Sequence, residues 1–467
     1  MSRKFQVKVV PSKWIQSDGH RLDCGPYLSG AMEARELLKK LQPEPLKTLT
    51  TGYKAGVFNG PRFPRNYVDD IKHGVPFLGS TDILDADFQN LPLLSKKQVI
   101  DNPGLIINQG WSLITCSGTI GRMAFSRADM EGLAGSQHFM RVIPNLEKIY
   151  PGYLYSYLSS RFGIPLVVSG TYGSIIQSIE PEHLIDLPVP RLGAIEQQAH
   201  ELVQKAANLR VEASSLLKRA GELVNKRFGF PEKLALSHRV FSYATTSSAS
   251  LMKRMDATYH DAIAQESDAF LAKSGAAQTI ESLQVSCSEN GRVKQVFVDQ
   301  EYGVPFLTSG EIFRQRYEPE RYLSERLLPD RSEWAIKEGD ILIARSGQVG
   351  GIIGRGVWAD KRFADGAVSV DVLKLSAHNA LIAHGYLFAY LCLTDVGYRQ
   401  LIRTAAGSSI PHISARDTMK LLVPRCENNL ESQINDLVWE AGNKRADAQA
   451  YEDQARSLVE HAIEEGG

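Results

Sequence analysis

Gly74-Val75-Pro76-Phe77-Leu78-Gly79-Ser80 recurs as Gly303-Val304-Pro305-Phe306-Leu307-Thr308-Ser309, six of seven residues being identical at an offset of 303 − 74 = 229. The same offset carries Gly110-Trp111-Ser112-Leu113-Ile114-Thr115-Cys116-Ser117-Gly118-Thr119-Ile120-Gly121 onto Gly339-Asp340-Ile341-Leu342-Ile343-Ala344-Arg345-Ser346-Gly347-Gln348-Val349-Gly350. Further on, Gly152-Tyr153-Leu154-Tyr155 matches Gly385-Tyr386-Leu387-Phe388, Gly173-Ser174-Ile175-Ile176 matches Gly407-Ser408-Ser409-Ile410, and Val189-Pro190-Arg191 matches Val423-Pro424-Arg425. Near the start of each half, Arg21-Leu22-Asp23 pairs with Arg254-Met255-Asp256. The order is kept and the offset drifts only from 229 to 235. This is the signature of a tandem duplication with short loop insertions.

Each copy ends in a helical pattern. Apolar residues fall at Ile195, Ala199, Leu202, Ala206, Leu209, Ala213, Leu216, Ala220 and Leu223, spaced 4-3-4-3 throughout. A seam of this period is that of a coiled coil. The second copy runs Leu430, Ile434, Leu437, Ala441, Lys444, Ala448, Tyr451, Ala455 and Leu458, the first shifted by 235. The expected pairing residues are Leu202, Ala206, Leu209, Ala213 and Leu216 against Leu437, Ala441, Ala448, Tyr451 and Ala455. The alanine line predicts close, antiparallel pairing, and Lys444 is expected to mark a wet or register-setting layer. The span 195–223 makes a rod of roughly 43 Å.

The globular parts mix short strands and helices. Runs 111–115 with 123–125, and 341–344 with 352–353, bracket Ser-Gly-x-x-Gly turns and read as hairpins. The fold class is therefore α+β: two similar mixed α/β domains joined by two long helices in an antiparallel coiled coil with pseudo-two-fold symmetry. The expected boundaries are 1–192, 193–232, 233–427 and 428–464.

The 467 residues contain 43% hydrophobic and 23% charged positions, ordinary for a globular chain. No apolar run is long enough for a bilayer, and the start Met1-Ser2-Arg3-Lys4-Phe5 lacks a signal-peptide core. Five scattered cysteines fit reduced thiols in a cytoplasm better than a disulfide framework or a zinc site. The formal net charge of zero argues against tight, autonomous, non-specific nucleic-acid binding.

Chemistry of its own is hard to find. The chain has no phosphate loop and no amino-methyltransferase motif, and its histidines form no ligand cluster. Asp70-Ile71-Lys72 resembles a fragment of a nuclease metal site but lacks a partner carboxylate. No catalytic residue, metal or cofactor is expected.

Taken in order, the Gly-Val-Pro-Phe-Leu strand, the Ser-Gly turn, the Gly-Ser-x-Ile segment, the Val-Pro-Arg exit and the Glu196-Gln197-Gln198 helix start resemble the specificity subunit of Type I restriction-modification systems over essentially the whole chain. At the second helix start Glu431-Ser432-Gln433 departs from that pattern. The resemblance implies a non-catalytic subunit with two target recognition domains. Each would read one half of a bipartite, asymmetric double-stranded DNA site. The paired helices would set the spacer and dock two methyltransferase subunits, and a translocating nuclease subunit would join for cleavage.

Groove and phosphate recognition favours basic, amide and hydroxyl side chains on loops. The candidates are Lys54, Arg62, Arg65, Ser117, Thr119, Arg122, Tyr172 and Ser174 in the first half. In the second they are Arg314, Arg316, Arg345, Ser346, Gln348, Lys361, Arg362 and Ser408. Cys116 opposite Arg345 is the first place to seek different readout by the halves. A different class of function, a scaffold in a defence complex without DNA readout, is the alternative that the neutral charge suggests.

Overall fold

The computed structural model describes all residues except 1–6, 18–21, 23, 89–90, 171–177, 235–242, 253, 292–293, 329–333, 408 and 467. The chain forms two compact units. One comprises 1–211 with 447–467, the other 212–446. Each unit therefore contains one globular module and one half of each long helix.

Among the described residues the first module is built on ten strands: β1 (Glu44–Pro45), β2 (Val57–Asn59), β3 (Tyr67–Val68), β4 (Gly74–Leu78), β5 (Leu93–Ser95), β6 (Ser112–Thr115), β7 (Met123–Phe125), β8 (Ala134–Gly135), β9 (Phe139–Val142) and β10 (Pro188–Val189). They form a β2-β9-β6-β7 sheet, a β3-β5-β4-β8 sheet and a β1-β10 pair. All contacts are antiparallel except β4 with β8. All four β6 residues are buried, since the strand is central and covered on both faces. That explains why Ser-Leu-Ile-Thr does not alternate apolar with polar residues.

The second module repeats this with β11 (Ala277–Thr279), β12 (Ser286–Glu289), β13 (Phe297–Val298), β14 (Gly303–Leu307), β15 (Tyr322–Ser324), β16 (Ile341–Ala344), β17 (Gly356–Trp358), β18 (Ala367–Val368), β19 (Val372–Ser376) and β20 (Leu422–Pro424). Its sheets are β12-β19-β16-β17, β13-β15-β14-β18 and β11-β20. The second hairpin differs from expectation. β16 pairs with β17, not with 352–353. Four extra residues sit inside its turn, so Gly354 and not Gly350 occupies the place of Gly121. Both take positive φ, +80° and +77°. A Cβ would meet Val168 Cγ1 at 2.6 Å in one and Ile402 Cδ1 at 2.7 Å in the other.

In each module a short helix, Pro151–Leu158 or His384–Leu393, is buried along nearly its whole length. Tyr153 Oη donates to Pro190 O at 2.5 Å, and Tyr386 Oη to Pro424 O at 2.5 Å. Gly152 and Gly385 lie against the long helices: a Cβ on either would be 2.8 Å from His200 Cα or Asn435 Cα. Gly152 N donates to His200 Nδ1 at 3.1 Å, and Gly385 N to Asn435 Oδ1 at 2.9 Å.

The long helices are Ala194–Phe228 and Asn428–Glu465. Their starts are held identically. Arg191 forks onto Glu196 at 3.0 and 3.1 Å, and Arg425 onto Glu431 at 2.7 and 3.0 Å. Within the first unit Arg210 meets Glu452. Within the second, Lys444 meets Glu212 and Arg227 meets Glu427. Rising numbers on one helix meet falling numbers on the other, so the pair is antiparallel.

The seam lies to one side of the leucines. Its buried line is Ala199, Val203, Ala206, Arg210, Ala213, Leu217, Ala220 and Val224, repeated 235 residues later as Ile434, Val438, Ala441, Arg445, Ala448, Glu452, Ala455 and Val459. The expected alanines Ala206, Ala213, Ala441, Ala448 and Ala455 are buried on this line. Leu202, Leu209, Leu216 and Tyr451 are only half-buried on the flank, and Leu437 is buried beside the seam residue Val438. Leu202 and Leu216 pack instead against the module cores. Arg210, Arg445 and Glu452 break the apolar pattern and conceal the true line from a hydrophobicity count. Lys444 is a flank residue, not a seam layer, and pairs with Glu212 at 2.8 Å and Glu440 at 3.5 Å.

Candidate nucleic-acid interface

In the first unit the end of β6, its turn, and residues 136–138 before β9 come together. Cys116 N donates to His138 O at 3.0 Å, tying the two segments. Above this tie stand Ser117, Gln137, His138 and Arg65. Ser117 Oγ lies 2.7 Å from His138 Nδ1, Gln137 Nε2 lies 3.1 Å from His138 Nε2, and Arg65 Nη2 donates to Gln137 Oε1 at 2.5 Å. The Arg65 guanidinium also covers the Phe77 ring at 4.8 Å. Partial burial, and then the charges of Arg65 and Arg62, hold His138 below the usual histidine range, which favours the neutral ring. Arg62 is exposed.

The second unit has the same frame with other chemistry. Arg345 N donates to Asp371 O at 2.8 Å, where Cys116 N meets His138 O. Ser346 Oγ donates to Asp371 Oδ1 at 2.7 Å. Asp371 therefore occupies the place of His138. Cys116 is buried and its thiol is pushed up to about 11, chiefly by desolvation. Arg345 is held by Ile413 O at 2.9 Å, Val370 O at 3.1 Å and Glu289 at 2.5 Å. The Cys116/Arg345 difference is thus largely internal, and the exposed difference sits on the neighbouring segment.

The remaining candidates are dispersed. Lys54 is exposed on a tight turn at φ +50°, its Nζ 5.7 Å from the Tyr53 ring centroid. Thr119 is exposed on the Ser-Gly turn, where its carbonyl accepts from Thr115 Oγ1. Half-buried Arg122 lies at the far end of that turn, its backbone N donating to Thr115 Oγ1 at 3.0 Å. Arg314 is half-buried, and Arg316 pairs with Glu318 at 2.8 Å. Lys361 is exposed, while half-buried Arg362 pairs with buried Asp360 at 2.7 Å. Gln348 Nε2 reaches Ser409 O at 3.1 Å. Tyr172, Ser174 and Ser408 lie outside the described residues. Gln137, His138 and Asp371, which the structure brings beside Ser117 and Ser346, are not among the residues expected from the sequence. Their signal was available only by carrying the duplication past the conspicuous motifs, at an offset of 371 − 138 = 233.

Among the solved structures that resemble this chain are three described as follows. The first is described as the crystal structure of a Type-I restriction-modification system S subunit from M. genitalium. It has 11% identity and a TM-score of 0.32, covering 90% of this chain and 93% of that one. The second, from a study of complex assembly and conformational transition of the type I R-M system, has 14% identity and a TM-score of 0.28, covering 90% and 96%. The third is the HsdS subunit from Thermoanaerobacter tengcongensis, with 13% identity and a TM-score of 0.26, covering 91% and 95%. The chain is similar to Type I S subunits. No protein-family profile and no curated protein matches it.

Among the described residues, no helix is long and apolar enough to cross a membrane. None of their His, Cys, Asp and Glu side chains group to hold a metal ion. Asp70 accepts from Lys72 N at 2.8 Å, an exposed local turn.

Proposed function

We propose that the chain is the non-catalytic DNA-recognition subunit of a Type I restriction-modification complex. Each module reads one half of a bipartite, asymmetric site. The boundaries 1–192, 193–232, 233–427 and 428–464 then divide readers from helices, and the helices set the spacer and dock two methyltransferase subunits. A translocating nuclease subunit completes the complex for cleavage, in the cytoplasm. The single observation that carries this reading is the duplicated tip: one backbone frame, used twice, bears different polar side chains in its two copies. A repeated frame with altered surface chemistry suits a reader of two unlike half-sites.

The test is to assemble the full chain with a methyltransferase subunit and select from a randomised duplex pool. Enrichment of two fixed half-sites around a constant spacer supports the reading, and its absence overturns it. The tethering of Arg316, Arg345 and Arg362 to carboxylates favours a second reading, a scaffold without DNA readout. Binding of the assembled complex that does not weaken with salt would favour that alternative.

A further inference from the structure

The Ser117 and Ser346 hydroxyls occupy equivalent places in two hydrogen-bond chains, and those chains run in opposite directions. In the first unit the direction follows from the donor inventory. Arg65 can only donate, so Gln137 Oε1 is its acceptor and Gln137 presents its amide NH2 to His138. That assigns His138 Nε2 as an acceptor. A neutral imidazole then carries its proton on Nδ1, which donates to Ser117 Oγ at 2.7 Å. The Ser117 proton is left to point away from the ring. The chain Arg65, Gln137, His138, Ser117 ends in an outward donor, with exposed Arg62 nearby as a further cation.

In the second unit the carboxylate of Asp371 can only accept. Ser346 spends its single proton on Asp371 Oδ1 at 2.7 Å. What remains at this tip is the lone pairs of Ser346 Oγ and the negative charge of Asp371. A histidine oriented by Arg65 and Gln137 in one module, and an aspartate at the same place in the other, thus give the two tips opposite polarity.

We propose that His138 and Asp371 are the specificity-determining residues of the two modules, the first presenting a donor to an acceptor-bearing base edge and the second an acceptor to an exocyclic amino group. The inference rests on the DNA-recognition reading above. In the major groove guanine offers N7 and O6, adenine N7 and thymine O4 as acceptors, whereas adenine and cytosine alone offer amino groups, N6 and N4. At the base facing this tip the first half-site should therefore contain guanine, thymine or, through N7, adenine but not cytosine, and the second adenine or cytosine.

The experiment uses the full chain assembled with its methyltransferase subunit and a randomised duplex pool, the two half-sites being scored separately. Asp371→Asn keeps the shape but supplies an amide donor. It is expected to cut the preference for an amino-bearing base at one position of one half-site about tenfold, leaving the other half-site unchanged. His138→Asp is expected to move one position of the other half-site from an acceptor-bearing to an amino-bearing base. Unchanged base preferences in both variants, with wild type still selecting a bipartite site, overturn this inference and spare the reading beneath it. Uniform weakening across all sequences, with a lowered thermal midpoint, assigns the residues to folding and also overturns it. A wild-type complex that selects no bipartite site overturns both.

Discussion

Arg127 and Asp129 in the first unit face the roles of Asp360 and Arg362 in the second, with the charges exchanged. Arg127 Nε reaches Asp129 at 3.0 Å, and Arg127 Nη2 donates to Ala86 O at 3.3 Å. Arg362 Nη2 reaches Asp360 at 2.7 Å, and Arg362 Nη1 donates to Gln315 O at 2.8 Å. Ala86 and Gln315 are themselves equivalent, 229 residues apart. The ion pair is kept while its direction along the chain is not, which is the pattern expected of a partly buried pair valued for neutrality. Arg127→Asp alone leaves two carboxylates together and is expected to cost about 3 kcal/mol. The double variant Arg127→Asp/Asp129→Arg adopts the second module's arrangement and should recover most of it. Chemical denaturation of the three proteins checks this, and no recovery in the double variant would refute the equivalence.

A second residue-scale difference is titratable. His200 accepts the Gly152 N–H through Nδ1, where Asn435 serves Gly385. Burial lowers its pKa from the ordinary 6.5, against a smaller opposing effect of Glu201. The unfolded chain therefore takes up this proton first as pH falls. Stability present above about 6.5 is lost as pH falls toward the folded value. His138 contributes with the same sign. His200→Asn should reduce the fall in thermal midpoint between pH 7 and 5. An unaltered slope would show that His200 does not carry this dependence.

At the scale of the element, the helix seam contains charged layers that its sequence periodicity conceals. Arg210 and Glu452 form a bidentate pair at 2.5 and 2.9 Å with both side chains almost fully buried. Shifted by 235, Arg210 becomes Arg445 and Leu217 becomes Glu452, so the repeat does not duplicate the pair. A buried ion pair of this kind adds little net stability but penalises any register that separates its members. Glu452→Leu alone should cost about 3–5 kcal/mol, while Arg210→Met/Glu452→Leu should lie near wild type. A double-mutant cycle by denaturation measures the difference, and equal losses in single and double variants would contradict the argument.

For the whole molecule, the proposed ruler has a geometric consequence. Removing one heptad from each long helix shortens each by about 10 Å. At ~3.4 Å per base pair that is about three base pairs of spacer. Selection from the randomised pool should return the same half-sites with a shorter spacer, and an unchanged spacer would remove the ruler role.

The duplication, the two long helices and their alanine line were legible in the sequence, because repetition and helical period are properties of the chain taken in order. Gly-Val-Pro-Phe-Leu announces β4 and β14 without knowledge of their neighbours. Only the tertiary structure decided which side of the alanines forms the seam, since Arg210 becomes a core residue solely by meeting Glu452, 242 positions away. It likewise decided that Arg345 and Arg362 are tethered inward and that His138 and Asp371 share one place. The direction in which Ser117 and Ser346 offer their protons is set by partners on other strands, and a residue's own identity does not carry that information.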